Sequence, residues 1–133
     1  MARRGAGIRF GDEAGQASVE LALLLPVVVV LLLAVLQLGL VARDVVLVTH
    51  ASREAARAAA VDPTPGAARE AALASSGLDR DRLALDVRGR AGAGSRVRVE
   101  VRYRVPTDVP IIGALLGDRT VRSSATMRVE GPA

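Results

Sequence analysis

The sequence predicts an α+β protein: one long N-terminal helix, membrane-spanning in its first half, followed by a small three-stranded antiparallel sheet domain. Three observations predict it. The 22-residue stretch Leu21–Ala42 carries no charge, and Gln37 is its only hydrogen-bonding side chain. Helical spacing of apolar residues then continues, with no Gly or Pro between Gly39 and Pro63. Beyond that point three segments alternate apolar and polar residues with a period of two.

A helix rising about 1.5 Å per residue needs roughly 20 apolar residues to cross a hydrocarbon core ~30 Å thick. A buried helix of a 133-residue soluble protein would instead show a polar stripe, because so small a domain has little interior. A cleavable secretory signal has an apolar region of about 7–15 residues ending in a small-x-small site. Here the run is longer, and it passes through Leu40-Val41-Ala42 straight into Arg43-Asp44. The reading is a retained transmembrane segment, Leu21 to Ala42.

Composition narrows the rest. All 18 basic residues are Arg, Lys and Asn are absent, and the formal net charge is +4. One Tyr and one Phe offer no stacking platform for single-stranded nucleic acid, so no nucleic-acid partner is expected. The absence of Cys removes a disulfide framework, thiolate metal sites and a cysteine nucleophile. The chain divides into a basic leader (1–15), a long helix (16–62) whose transmembrane part is 21–42, and a small domain (63–133).

Met1–Gly15 is polar, holds Arg3, Arg4 and Arg9, and has no hydrophobic periodicity. It is expected to be disordered, or loosely helical near its end. Arg43, Arg53 and Arg57 lie beyond the other end of the apolar run, so charge alone leaves orientation undecided. Pro26 cannot donate to the carbonyl of Ala22, which predicts a mild kink of a kind membrane helices tolerate. Gln37 and Gly39 are candidates for a helix–helix contact, since small and polar residues favour close approach in lipid.

After Ala42, the residues Val41, Val45, Val48, Ala55 and Ala59 form an apolar face, and Arg43, His50, Glu54 and Arg57 a polar one. The helix should therefore run to about Val61, half of it beyond the bilayer. Asp62-Pro63-Thr64-Pro65-Gly66 stops it. His50, the only His, is read as a surface partner of Glu54 at i,i+4.

Ala67–Ser76 is a short helix by propensity, with Gly77 as its stop. In the strands, Leu83, Leu85 and Val87 oppose Arg82, Asp86 and Arg88. Val97, Val99, Val101, Tyr103 and Val105 oppose Arg96, Arg98, Glu100, Arg102 and Arg104. Val121, Ser123, Ala125, Met127 and Val129 oppose Arg122, Ser124, Thr126, Arg128 and Glu130. Such alternation fits antiparallel strands with one face on a core, and the Ala-rich helices are the available cover. The loop Ile111–Leu116, without a polar side chain, either plugs the end of the core or forms an exposed patch. The Arg-rich outer sheet face reads as a solvated face that blocks edge pairing. Its functional alternative is contact with an anionic partner.

The sharpest signal is Gly15-Gln16-Ala17-Ser18-Val19-Glu20. Glu20 stands at the mouth of the apolar run, where a carboxylate is costly unless it serves a purpose. As a plain first-turn residue it would be favoured by the helix dipole. The functional reading is cleavage after Gly15, which makes Glu20 the fifth residue of the mature chain. A new α-amine on Gln16 would then pair with Glu20 of a neighbouring subunit.

At these residues the chain resembles the type IV pilin-like proteins, most closely the TadE-like pseudopilins of tight-adherence (Flp-type) pilus systems. The likeness rests on a short basic leader ending in Gly15, Glu20 at the fifth place, and LALLLP with Pro26. REAARAAA at Arg53–Ala60 is similar to the family's AREGAR-like helix end. Leu21 departs from the aromatic residue common after that Glu. The resemblance implies processing by a prepilin peptidase, other pilin and pseudopilin subunits as partners, and residence in the cytoplasmic (inner) membrane. It also implies a cytoplasmic N-terminus and an extracytoplasmic C-terminal domain.

No catalytic constellation emerges, so no enzyme activity and no cofactor are expected. His50 with Asp44 and Ser52 lies on one helix with mismatched directions, unlike a Ser-His-Asp triad. Gly89–Gly94 joins two strands and opens no helix, so it is no phosphate loop. Asp79 and Asp81 sit beside Arg80 and Arg82, which argues against a metal site. The sequence leaves two functions open: a pseudopilin acting through assembly, and a single-pass anchored module that binds a ligand with its sheet domain.

Overall fold

The computed structural model describes residues 11–64, 66–106, 117 and 119–130. A single helix, α1 (Gly11–Val61), spans 51 residues and passes through Pro26 without interruption. Its first residues, Gly11 to Gly15, fall at the end of the 1–15 stretch, where loose helix was expected. It ends at Val61, as expected. The Asp62 carboxylate accepts the Thr64 N–H at 2.8 Å, closing a local turn, and Pro63 cannot continue a helix. That hydrogen bond, from the Thr64 backbone N–H, holds the Asp62 carboxyl below the usual carboxylate range.

The first half of α1 lies bare. Leu21, Leu31 and Leu38 are 66%, 60% and 68% exposed, which only a nonaqueous surrounding makes favourable over so long a stretch. The second half carries the head. Val48, Ala51, Ala55, Ala56, Ala59 and Ala60 are buried along it, their small side chains letting the helix approach the sheet closely. Val45, expected on this face, lies at its edge and is 43% exposed.

Helix α2 (Ala67–Ser76) adds Ala68 and Ala72 to the same core. It stops where Gly77 turns to φ +64°, a left-handed cap whose N–H bonds the Leu73 carbonyl at 3.1 Å. A 3-10 turn at Arg80–Arg82, which periodicity did not foreshadow, follows with Asp79 accepting the Asp81 N–H.

The sheet is an antiparallel meander, β1 (Leu83–Arg88), β2 (Arg96–Val105) and β3 (Arg119–Arg128), in the order β1-β2-β3. Val87 pairs with Val99, and Val99 with Ala125. On β2 the alternation is complete: Val97, Val99, Val101, Tyr103 and Val105 are buried while Arg96, Arg98, Arg102 and Arg104 are exposed. On β1 it frays. Val87 was expected inward but is 40% exposed, because it borders an open cleft of about 400 Å³ lined in part by Ala59, Ala68, Leu85 and Arg90. Between β1 and β2, Gly89 at φ +84° is obligatory, since a Cβ there would meet the Arg96 carbonyl oxygen at 2.7 Å.

The end of α1 is tied to the head through its own carbonyls. Asp62 N–H donates to the Ala58 carbonyl at 2.8 Å, and Glu130 N–H to that of Ala60 at 3.2 Å. The Arg90 guanidinium donates to the Ala59 carbonyl at 2.5 Å. Three acceptors that a helix C-terminus leaves open are thereby satisfied, one by a cation that suits the negative end of the dipole. The leader residues 1–10 and the Ile111–Leu116 loop lie outside the described residues.

Candidate functional segment of the long helix

Gly15, Gln16 and Glu20 lie on continuous helix, and all three are exposed. A Cβ at Gly15 would meet nothing within 4 Å. Nothing in this fold therefore requires glycine there, although glycine costs about 1 kcal/mol relative to alanine in a helix interior. Glu20 forms no ion pair among the described residues. From Glu20 to Ala42 the axis advances about 33 Å, one hydrocarbon thickness. Glu20 and Arg43 thus bracket the uncharged run, with Leu21, Pro26 and Ala42 within it or at its ends.

The residues of this segment also account for what a family comparison finds. Residues 15–57 match the TadE-like protein family model. The chain is TadE-like over this segment. The matched TadE-like part starts at Gly15, contains Glu20 and the whole apolar run, and ends in the Ala-rich stretch that carries the head. A match of that kind points to a pilus-related membrane protein, and the apolar helix is a candidate single membrane span. The sheet lies outside the matched residues. No curated protein and no solved structure matches the chain.

Within the TadE-like helix, two polar residues behave in ways their spacing did not announce. Gln37 is only 3% exposed, and its side-chain Oε1 has no hydrogen-bond partner among the described residues. Gly39, expected to share a contact with it, is exposed and open, so the two do not share a face of the protomer. Ser52 is buried against the sheet: its hydroxyl donates to the Thr49 carbonyl at 2.9 Å and lies 3.0 Å from the Ser123 hydroxyl. The sequence signal for this contact was Ser123 itself, the one polar residue in the inward set of β3.

The other sites considered from sequence do not assemble. His50 is exposed and makes no ion pair with Glu54 among the described residues. No group of three or more His, Cys, Asp or Glu side chains suited to a metal occurs among the described residues. Asp79 and Asp81 are engaged locally, Asp79 with Arg82 at 3.4 Å and with the Asp81 N–H at 3.1 Å.

Proposed function

We propose that the protein is a pseudopilin of a tight-adherence pilus machine, a structural subunit that works through assembly and not through catalysis. A prepilin peptidase removes residues 1–15, and Gln16 becomes the mature N-terminus. The mature subunit sits in the cytoplasmic membrane with Gln16 on the cytoplasmic side and the sheet domain outside. Other pilin-like subunits then engage it through the exposed face of α1.

The observation that carries this reading is the pair Gly15 and Glu20 within the TadE-like segment. Glycine at position 15 is exposed, and a Cβ there would meet nothing within 4 Å among the described residues, so packing does not require it. Among the described residues the carboxylate, which stands at the mouth of an uncharged run, has no ion-pair partner. Residues that a protomer does not need, placed where a peptidase and a neighbouring subunit would act, are accounted for by those two partners.

N-terminal mass spectrometry of the membrane-extracted protein tests it. The expected start is Gln16; a chain beginning at Met1, or after Ala42, counts against processing. Gly15→Trp is expected to block cleavage without disturbing the head, because a Cβ at position 15 meets no described atom within 4 Å and the head packs on the far half of α1.

A further inference from the structure

The outer face of the sheet carries a basic cluster whose place relative to the membrane follows from two contacts. Ser52 is ten residues beyond Ala42, about 15 Å along the helix axis, and its hydroxyl lies against that of Ser123. Ala60, two turns farther out, accepts the Glu130 N–H. Strand β3 therefore runs away from the apolar segment. Its start at Arg119, paired with Val105 at the end of β2, is the membrane-facing end of the sheet. Val41, inside the apolar run, packs on the core and brings that end down to the edge of the bilayer.

At this end a shallow cleft of about 320 Å³ is lined by Asp81, Arg82, Arg102, Arg104, Thr120 and Arg122, among others. Arg102 stands directly opposite Arg122 across the β2–β3 ladder. Like charges in that position destabilise a sheet unless something between them is negative. Arg82 has Asp79 at 3.4 Å and Arg102 has Glu100 at 2.7 Å, but Arg104 and Arg122 form no ion pair among the described residues. Asp79, Asp81 and Glu100 together leave the four guanidinium groups in excess, with Arg104 and Arg122 lacking a carboxylate of their own at ion-pair distance among the described residues. Guanidinium forks match phosphate oxygens two at a time, so the chemistry of the cleft suits a phosphodiester.

We propose that this cleft seats the phosphate headgroup of an anionic phospholipid from the leaflet through which α1 emerges. The inference rests on α1 spanning a bilayer and adds a lipid contact that holds the head down on the surface. Position favours lipid over an acidic protein. The attraction of a charged membrane fades within a Debye length of about 8 Å at physiological salt. Only the lower end of the sheet comes so close, since Arg128 stands six residues up the strand from Arg122, about 20 Å away. Arg96, Arg98 and Arg128 form a second basic group at the far end, with Arg96 directly opposite Arg128. They provide a control of equal charge.

The test uses the full chain in a neutral detergent, titrated with phosphatidylglycerol, phosphatidylcholine or inorganic phosphate and read by native mass spectrometry. Phosphatidylglycerol is expected to be retained, phosphatidylcholine not, and inorganic phosphate not to displace it. The triple variant Arg102→Ser, Arg104→Ser, Arg122→Ser should weaken retention about tenfold. The variant Arg96→Ser, Arg98→Ser, Arg128→Ser should leave it unchanged, with circular dichroism confirming that both remain folded. Equal retention of the two lipids, or equal loss from the two triple variants, overturns the proposal. Displacement by inorganic phosphate overturns it in favour of a soluble anion. Unchanged lipid retention alongside lost binding to an acidic subunit overturns it in favour of a protein partner. Extraction of the protein from membranes by carbonate would remove the spanning helix and this proposal together, whereas failure in an integral protein removes the lipid site alone.

Discussion

Replacing Glu20 by alanine separates a subunit that must assemble from one that is merely anchored. In the protomer Glu20 is exposed, forms no ion pair among the described residues and stands ten residues into α1, past the turn where the helix dipole acts, so its deletion there should cost the fold little. Fold, insertion and cleavage should survive. The span from Glu20 to Ala42 is about 33 Å, so with Arg43 at one membrane face Glu20 stands at the other. Any movement of α1 into a bundle takes the carboxylate off that face into apolar surroundings, where an unpaired charge is costly. The α-amine of Gln16 from a neighbouring subunit is the cation within reach once residues 1–15 are removed. Deleting one member of a buried pair strands the other, typically at 3–5 kcal/mol. At about 1.4 kcal/mol per tenfold, that weakens a subunit contact by roughly 10²- to 10³-fold. The assay is complementation of surface piliation by Glu20→Ala, with membrane level and the mature N-terminus measured alongside. Normal piliation from a correctly processed variant would refute the pairing and leave Glu20 an ordinary exposed residue of α1.

Three further outcomes follow from the head and the helix. Val99, fully buried between Val87 and Ala125, should not accept a charge: Val99→Asp is expected to cost at least about 3 kcal/mol in thermal unfolding of the detergent-solubilised chain. Arg98→Asp, on the exposed face, should stay within about 1 kcal/mol of the parent, and similar losses from both would mean the inward face is misassigned. Gln37→Leu removes a buried acceptor that has no partner among the described residues and should leave stability unchanged or raise it by about 1 kcal/mol; a clear loss would show that Oε1 is bonded. Asp62 titrates below the usual carboxylate range, so its contribution is complete above the unfolded value of about 3.9 and is lost as pH falls through the lower folded value. Stability measured against pH should therefore converge for the parent and Asp62→Ala in acid and separate above about pH 4; parallel curves would exclude this linkage.

The sheet was legible because a period of two places every second residue on one face whatever the neighbours are. Val97 to Val105 obey it without exception. The end of α1 was equally plain, since Asp62-Pro63 acts through local backbone chemistry. What could not be read were the edges of the helix's buried stripe. Whether Val45 is covered, or Gln37 shielded, depends on where the head sits along α1, and no local spacing encodes that. The tie between Arg90 and the Ala59 carbonyl joins residues 31 apart and left no periodic trace. For the functional segment the order reverses. Gly15 and Glu20 were singled out in the sequence by a carboxylate at the mouth of an apolar run and by a family resemblance, while no contact among the described residues of the protomer marks them.

Helix α1 is one rod from the membrane into the head, with no glycine or proline between Gly39 and Pro63 and so no built-in bend. Its core contacts and carbonyl ties fix the head to that rod. Such a body moves past a neighbouring helix as a screw. An advance of one residue along the ridges lifts the head about 1.5 Å and swings it about 100°, and a lift of about 5.4 Å restores the original heading. Height and compass direction are thus a single variable for this subunit. In the proposed assembly, the packing register of the apolar segment would set which neighbour the arginine-bearing side of the sheet faces.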